Sequence, residues 1–147
     1  MDRCAELVEA FADGARRNAA IVELVGAINA RDLRRVALRP EARTALIAGL
    51  DHPNAKVRWW CLQLLDHLAD ASLLAPIAAK LADPVAKVRR HAAHAIGCAV
   101  CKPDRQPLAA DDELAAALRA AVATDPDATV RAEASEALAR LAGAGRR

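Results

Sequence analysis

Four residues near the middle of this chain could do chemistry: His91, His94, Cys98 and Cys101, spaced three, four and three apart in a sequence with only four His and four Cys. Imidazole nitrogens and thiolates are ligands that zinc and iron accept. Residues four apart share a helix face, so His94 and Cys98 can reach one ion, whereas His91 with His94 is a poorer pair. All four cannot share a metal on a straight helix, because His91 and Cys101 would stand roughly 15 Å apart along its axis. The best set is His94, Cys98 and Cys101, with the helix loosening before Lys102-Pro103 and with His67, Glu133 or water completing the coordination. Thiol redox chemistry is disfavoured, since Cys98 and Cys101 would close a helix, where its dipole opposes thiolate. The plainer alternative is that the cysteines pack near a core while the histidines line a surface.

The elements that must position these residues are periodic. Asp83-Pro84, a short spacer, Val88-Arg89 and an alanine-rich run through Ala92, Ala93, Ala95 and Ile96 form a unit seen twice more, at Asp51-His52-Pro53 with Val57-Arg58 and at Asp125-Pro126 with Val130-Arg131. Each turn joins two predicted helices: 41–50 with 54–69, 72–82 with 85–101, and 111–123 with 127–142. Val57 to Val88 is 31 residues and Val88 to Val130 is 42; the excess falls in 102–110, whose two prolines predict an inserted loop. Upstream, three shorter helices are expected: 2–13, one capped by Asn18 and running to Asn29, and Asp32 to Leu38, closed by Arg39-Pro40. They lack the repeat signature. The organisation predicted is therefore one domain over 1–147, with an N-terminal helical cap at 1–39 and repeats at 40–70, 71–101 and 111–142.

Helix pairs of this kind cannot bury their apolar faces alone, and stacking them builds a continuous core. The segments Asp51 to Leu65, Asp83 to Gly97 and Asp125 to Leu138 resemble HEAT repeats, whose signature is an Asp-Pro turn, Val-Arg and an Ala-rich helix. The resemblance implies an all-α fold, a short right-handed α-solenoid. It also implies a structural ladder in which turn Asp and helix Arg pair between neighbouring repeats, drawing on Asp51, Asp83 and Asp125 and on Arg58, Arg89 and Arg131. The first turn departs from the pattern and reads as carrying an inserted His52. HEAT arrays serve as scaffolds, chromophore lyases, hydroxylases and DNA glycosylases, so the family implies fold more than function.

Register narrows the surface. With Val57, Val88 and Val130 equivalent, positions three, six, ten and thirteen further on fall on one stripe beside the core face. The stripe reads Trp60, Gln63, His67 and Asp70; then His91, His94, Cys98 and Cys101; then Glu133, Glu136, Arg140 and Gly143. In solenoids the second helices line the concave side, which makes Trp60, Gln63, His67, His91, His94, Glu133, Glu136 and Arg140 the expected binding groove, with Trp60 preferred to Trp59 as an anchor. A protein partner is the occupant expected.

Composition agrees with a helical binding module. Hydrophobic residues make up 54% of the 147, aromatics 2%, and Tyr is absent, so the apolar content is mainly Ala, Leu and Val. Net charge is +2, with 21 basic and 19 acidic residues interspersed, which argues against nucleic acid despite a basic rim of Lys56, Arg58, Lys87, Arg89, Arg90 and Arg131. No nucleophile elbow, phosphate-binding Gly-rich loop or His-Glu dipeptide is present, so nothing nominates a catalytic residue. Asp2, Arg3, Glu6, Glu9 and Asp13 break up the N-terminus, giving no signal peptide and no membrane span; four irregularly spaced cysteines suit a reducing cytoplasm. The reading is a scaffold module, the alternatives being a zinc or iron protein and a nucleic-acid binder.

Overall fold

A computed structural model describes residues 2–27, 30–33, 35–68, 70–98 and 111–144; among these there is no strand. The chain divides into two compact units, 1–68 and 69–147. No helix among the described residues is long and apolar enough to cross a membrane.

In the first unit, α1 (Arg3–Glu9) starts at Asp2, whose side chain accepts from the Ala5 N–H, and runs into a 3-10 turn at Ala10–Ala12. That carboxylate satisfies one of the four N–H groups a helix start leaves open. Helix α2 (Arg17–Val25) does not begin at Asn18, which lies inside it. Asp13 shapes the entry instead, its side chain accepting from Ala15 N and its carbonyl from Arg17 N. Gly26, with φ of 83°, closes α2 three residues earlier than the expected Asn29, because a left-handed residue ends the helical ladder. The third helix is one turn, α3 (Ala30–Leu33), and does not reach Leu38. Helix α4 (Pro40–Gly49) carries Pro40 in its first turn, where the missing N–H costs nothing. Helix α5 (Ala55–Leu68) completes the unit and packs on α4. Phe11, Leu24, Leu46, Leu50 and Leu62 are fully buried.

In the second unit a 3-10 turn (Ala71–Leu73), α6 (Leu74–Ala79) and a second 3-10 turn (Lys80–Ala82) form a bent first helix, which packs against α7 (Ala86–Gly97). Helices α8 (Asp112–Thr124) and α9 (Ala128–Ala144) form the next pair, α8 capped by the Asp111 carboxylate at 2.7 Å from Leu114 N. The core is built from Leu73, Ile77, Val88, Ile96, Leu118 and Val130. Helix α7 also packs extensively on α9, because the two meet through small residues. A Cβ on Gly97 would lie 2.6 Å from Ala137 Cα, so only glycine permits that approach.

Candidate functional site

The repeat signature resolves into a specific piece of turn chemistry. In each repeat the Val-Arg arginine reaches back six residues to a carbonyl of its own turn: Arg58 to His52 O at 2.9 Å, Arg89 to Asp83 O at 2.9 Å and Arg131 to Asp125 O at 2.7 Å. Arg58 donates also to Pro53 O. The residue before each proline accepts from the N–H two residues on, through Asp83 Oδ1 to Val85, Asp125 Oδ1 to Asp127 and His52 Nδ1 to Asn54, each at 2.9 Å. His52 is therefore a substitution for the turn aspartate and not an insertion. The position equivalent to Asp83 and Asp125 is His52; Asp51, assigned to the ladder by sequence, stands one residue early, level with Ala82 and Thr124.

That substitution has a reason in the first unit. With Nδ1 accepting, the neutral His52 ring carries its proton on Nε2, which donates to the Glu9 carboxylate at 2.9 and 3.0 Å. The turn is thereby tied to the end of α1. Both residues line a depression of about 770 Å³ between α1 and α4, together with Val8, Ala45 and Ala48. In the second unit the corresponding acid meets a cation: Arg89 Nε and Nη2 lie 2.8 and 3.1 Å from the two oxygens of Asp125, with both side chains largely buried. The guanidinium holds the Asp125 carboxyl below its ordinary pKa and is itself raised by it. Asp127 is also depressed, chiefly by accepting from the Thr129 hydroxyl.

The stripe residues divide between the units. On α5, Trp60 is half-buried with the Arg17 guanidinium 4.8 Å above its ring, and Trp59 meets it edge-to-face at 4.9 Å. Gln63 donates its amide to His67 Nε2 at 3.2 Å, and His67 is 6% exposed, so this histidine is an interior group and not a surface one. Leu62 and Asp66 are buried as well. Asp70 lies beyond α5 and starts the next turn by accepting from Ser72 N. Cys61, also on α5, is fully buried, which pushes its thiol well above the ordinary range.

On α7 and α9 the stripe comes together. His94 Nδ1 lies 3.0 Å from Glu133 Oε1, an acceptor when ionised, so that nitrogen carries the proton. Arg90 Nε approaches the other Glu133 oxygen at 3.9 Å, and the His91 and His94 rings stack with centroids 5.6 Å apart. Glu136 pairs with Arg140 at 3.2 Å one turn further along α9. Helix α7 stops at Gly97 and does not extend to Cys101: Cys98 has an extended backbone, with ψ of 104°, although its N–H still bonds His94 O. His94 and Cys98 are consequently not an ordinary i, i+4 helical pair. Cys101 lies outside the described residues, as does the 102–110 segment. Among the described residues, no three His, Cys, Asp or Glu side chains are grouped to hold a metal ion.

Antiparallel helix pairs joined by an Asp- or His-Pro turn, each with an arginine returning to that turn, define a helical-repeat scaffold. The family profile described as HEAT repeats matches residues 43–139, about two thirds of the chain, and the protein belongs to that family. No curated protein is similar enough to count as a relative.

Proposed function

We propose that this protein is a scaffold module whose units each offer a second-helix face for binding protein, the first through Trp60 and Gln63 on α5 and the second through His91, His94, Glu133, Glu136 and Arg140 on α7 and α9. HEAT repeats form helical platforms for protein interaction, and that family membership supports the class of function. The observation that carries the proposal is the α7/α9 seam. Gly97 lets the helices touch through their backbones, and Glu133 fixes His94 and Arg90 across the join. Side chains held in place lose less conformational entropy on binding than mobile ones.

A photo-crosslinking residue placed at Arg90 or Trp60, with a control at the exposed Ala117 of α8, tests this reading. Partner adducts from the first two positions and none from the control are expected. Equal labelling at all three, or none at 90 and 60, overturns it. Stoichiometric zinc or iron in untagged protein, lost in Cys98→Ala, would put a metal centre in place of a partner surface.

A further inference from the structure

Helix α7 presents a one-sided charge pattern found on neither α5 nor α9. Val88, Ala92, Ala93, Ala95, Ile96 and Gly97 are buried, and Arg89 is turned inward onto Asp125. Apart from half-exposed Ala86, what remains toward solvent is Lys87, Arg90, His91 and His94, within an arc of about 100° and an axial length of roughly 10 Å. The helix contains no Asp or Glu. The Arg90 side chain is 57% exposed and that of His94 33%, while Glu133 beneath them is 14% exposed. By contrast α5 exposes Trp and Gln beside Lys56, and α9 mixes Glu133 and Glu136 with Arg140.

We infer that the α7 ridge receives an acidic segment of the partner, whose carboxylates compete with Glu133 for Arg90 and His94. This deepens the proposed function and rests on it. Successive same-side residues of an extended strand stand about 7 Å apart, so two carboxylates fit the ridge. A nucleic acid fits it less well. Its affinity comes from neutralising many phosphates along a track, and here the ridge carries only Lys87 and Arg90 as permanent cations, within one turn and beside Glu133 and Glu136, which repel a phosphate backbone. Glu133 acts as a built-in occupant: it keeps Arg90 and His94 in place when no partner is bound and yields them to one.

The test uses a fluorescein-labelled peptide alternating Glu with Ser, its Lys-for-Glu counterpart and a short DNA duplex, followed by anisotropy across a salt series. The acidic peptide is expected to bind, with affinity falling as salt rises. Arg90→Glu, at an exposed site that leaves the fold intact, should weaken it by about tenfold. Glu133→Gln, which keeps the hydrogen bond from His94 but removes the competing charge, should strengthen it by about threefold. Glu113→Gln on α8 makes the same change in net charge and should do nothing. Equal binding of the Lys peptide, insensitivity to Arg90→Glu, a loss or no gain with Glu133→Gln, or tighter Arg90-dependent binding of the duplex each overturns the inference. Crosslinking from position 90 without acidic-peptide binding removes the inference and leaves the scaffold reading standing; peptide binding with no partner adduct at either position removes the scaffold reading instead.

Discussion

Each unit brings two helices together over a glycine, and the two contacts differ in what stands opposite. In the first unit a Cβ on Gly49 would meet the Cys61 sulfur and, at 3.0 Å, a methyl of Val8. In the second, a Cβ on Gly97 would meet Ala137 Cα at 2.6 Å and its Cβ at 2.8 Å. A side chain can be shortened by mutation, whereas a backbone has to move. The same residue type therefore marks a packing choice in one unit and a limit on helix separation in the other.

The largest effect should come from the second contact. Gly97→Ala is expected to cost about 2–4 kcal/mol in urea unfolding, after allowing for about 1 kcal/mol of better helix propensity, because α7 and α9 must separate. Ala137→Gly should not rescue it, since the Cα atom remains. Gly49→Ala should cost less, about 1–2 kcal/mol, and Cys61→Ala in the same chain should recover most of that by removing the sulfur. Equal rescue of both, or of neither, would break the distinction between side-chain and backbone contacts.

Next in size is the arginine that joins two turns. Arg89→Ala strips Asp125 of a largely buried charged partner and should cost about 2–3 kcal/mol, against about 1 kcal/mol for Arg131→Ala, which removes a bond to a carbonyl. The pH dependence follows from the lowered Asp125 pKa. The stabilisation is fully present above the unfolded carboxyl pKa of about 4 and is lost as pH falls through the lower folded value. The stability gap between wild type and Arg89→Ala should hence be constant from neutral pH down to about 5 and narrow below about 4. A gap that persists unchanged into strong acid would show that Arg89 acts through packing and not through its charge.

Much of the fold was legible because Pro53, Pro84 and Pro126 stand at one fixed distance from Val57, Val88 and Val130, and proline and β-branched residues act locally. What escaped depends on neighbours distant in sequence. His52 holds the turn-acceptor position, directly before Pro53, but Asp51 beside it matches the residue type at Asp83 and Asp125 and drew the assignment; what accounts for a histidine there, Glu9 of α1, is a tertiary contact. The end of α7 was missed because Gly97 fits a helix interior as well as a stop, and its close approach to Ala137 is a tertiary fact. At the candidate site, helical phase put His94 and Glu133 on one stripe, but it also put His67 there, and periodicity cannot tell a surface from an interior covered by another element. Nor could it show the arginines returning to their own turns, since six residues in sequence spans a turn whose shape was not yet known.

The smallest effect offers the sharpest comparison, because it exchanges the residues at one equivalent position. His52 and Asp125 do the same work for the backbone, each accepting the N–H two residues on, and differ in what lies outside the turn: Glu9 for His52, Arg89 for Asp125. His52→Asp preserves the acceptor but sets a carboxylate near Glu9, itself 54% exposed, so solvent screens the repulsion and the cost should be about 1 kcal/mol or less. His52→Asn, which keeps an acceptor and adds no charge, should cost less still, and Glu9→Gln should remove most of the penalty of His52→Asp. The reciprocal Asp125→His gives up a buried ion pair and places an imidazole against a guanidinium, so it should cost at least twice as much. If both exchanges cost the same, the residue type is set by the turn itself. If they differ as expected, the turn accepts either residue, and the charge opposite it decides which one the chain carries.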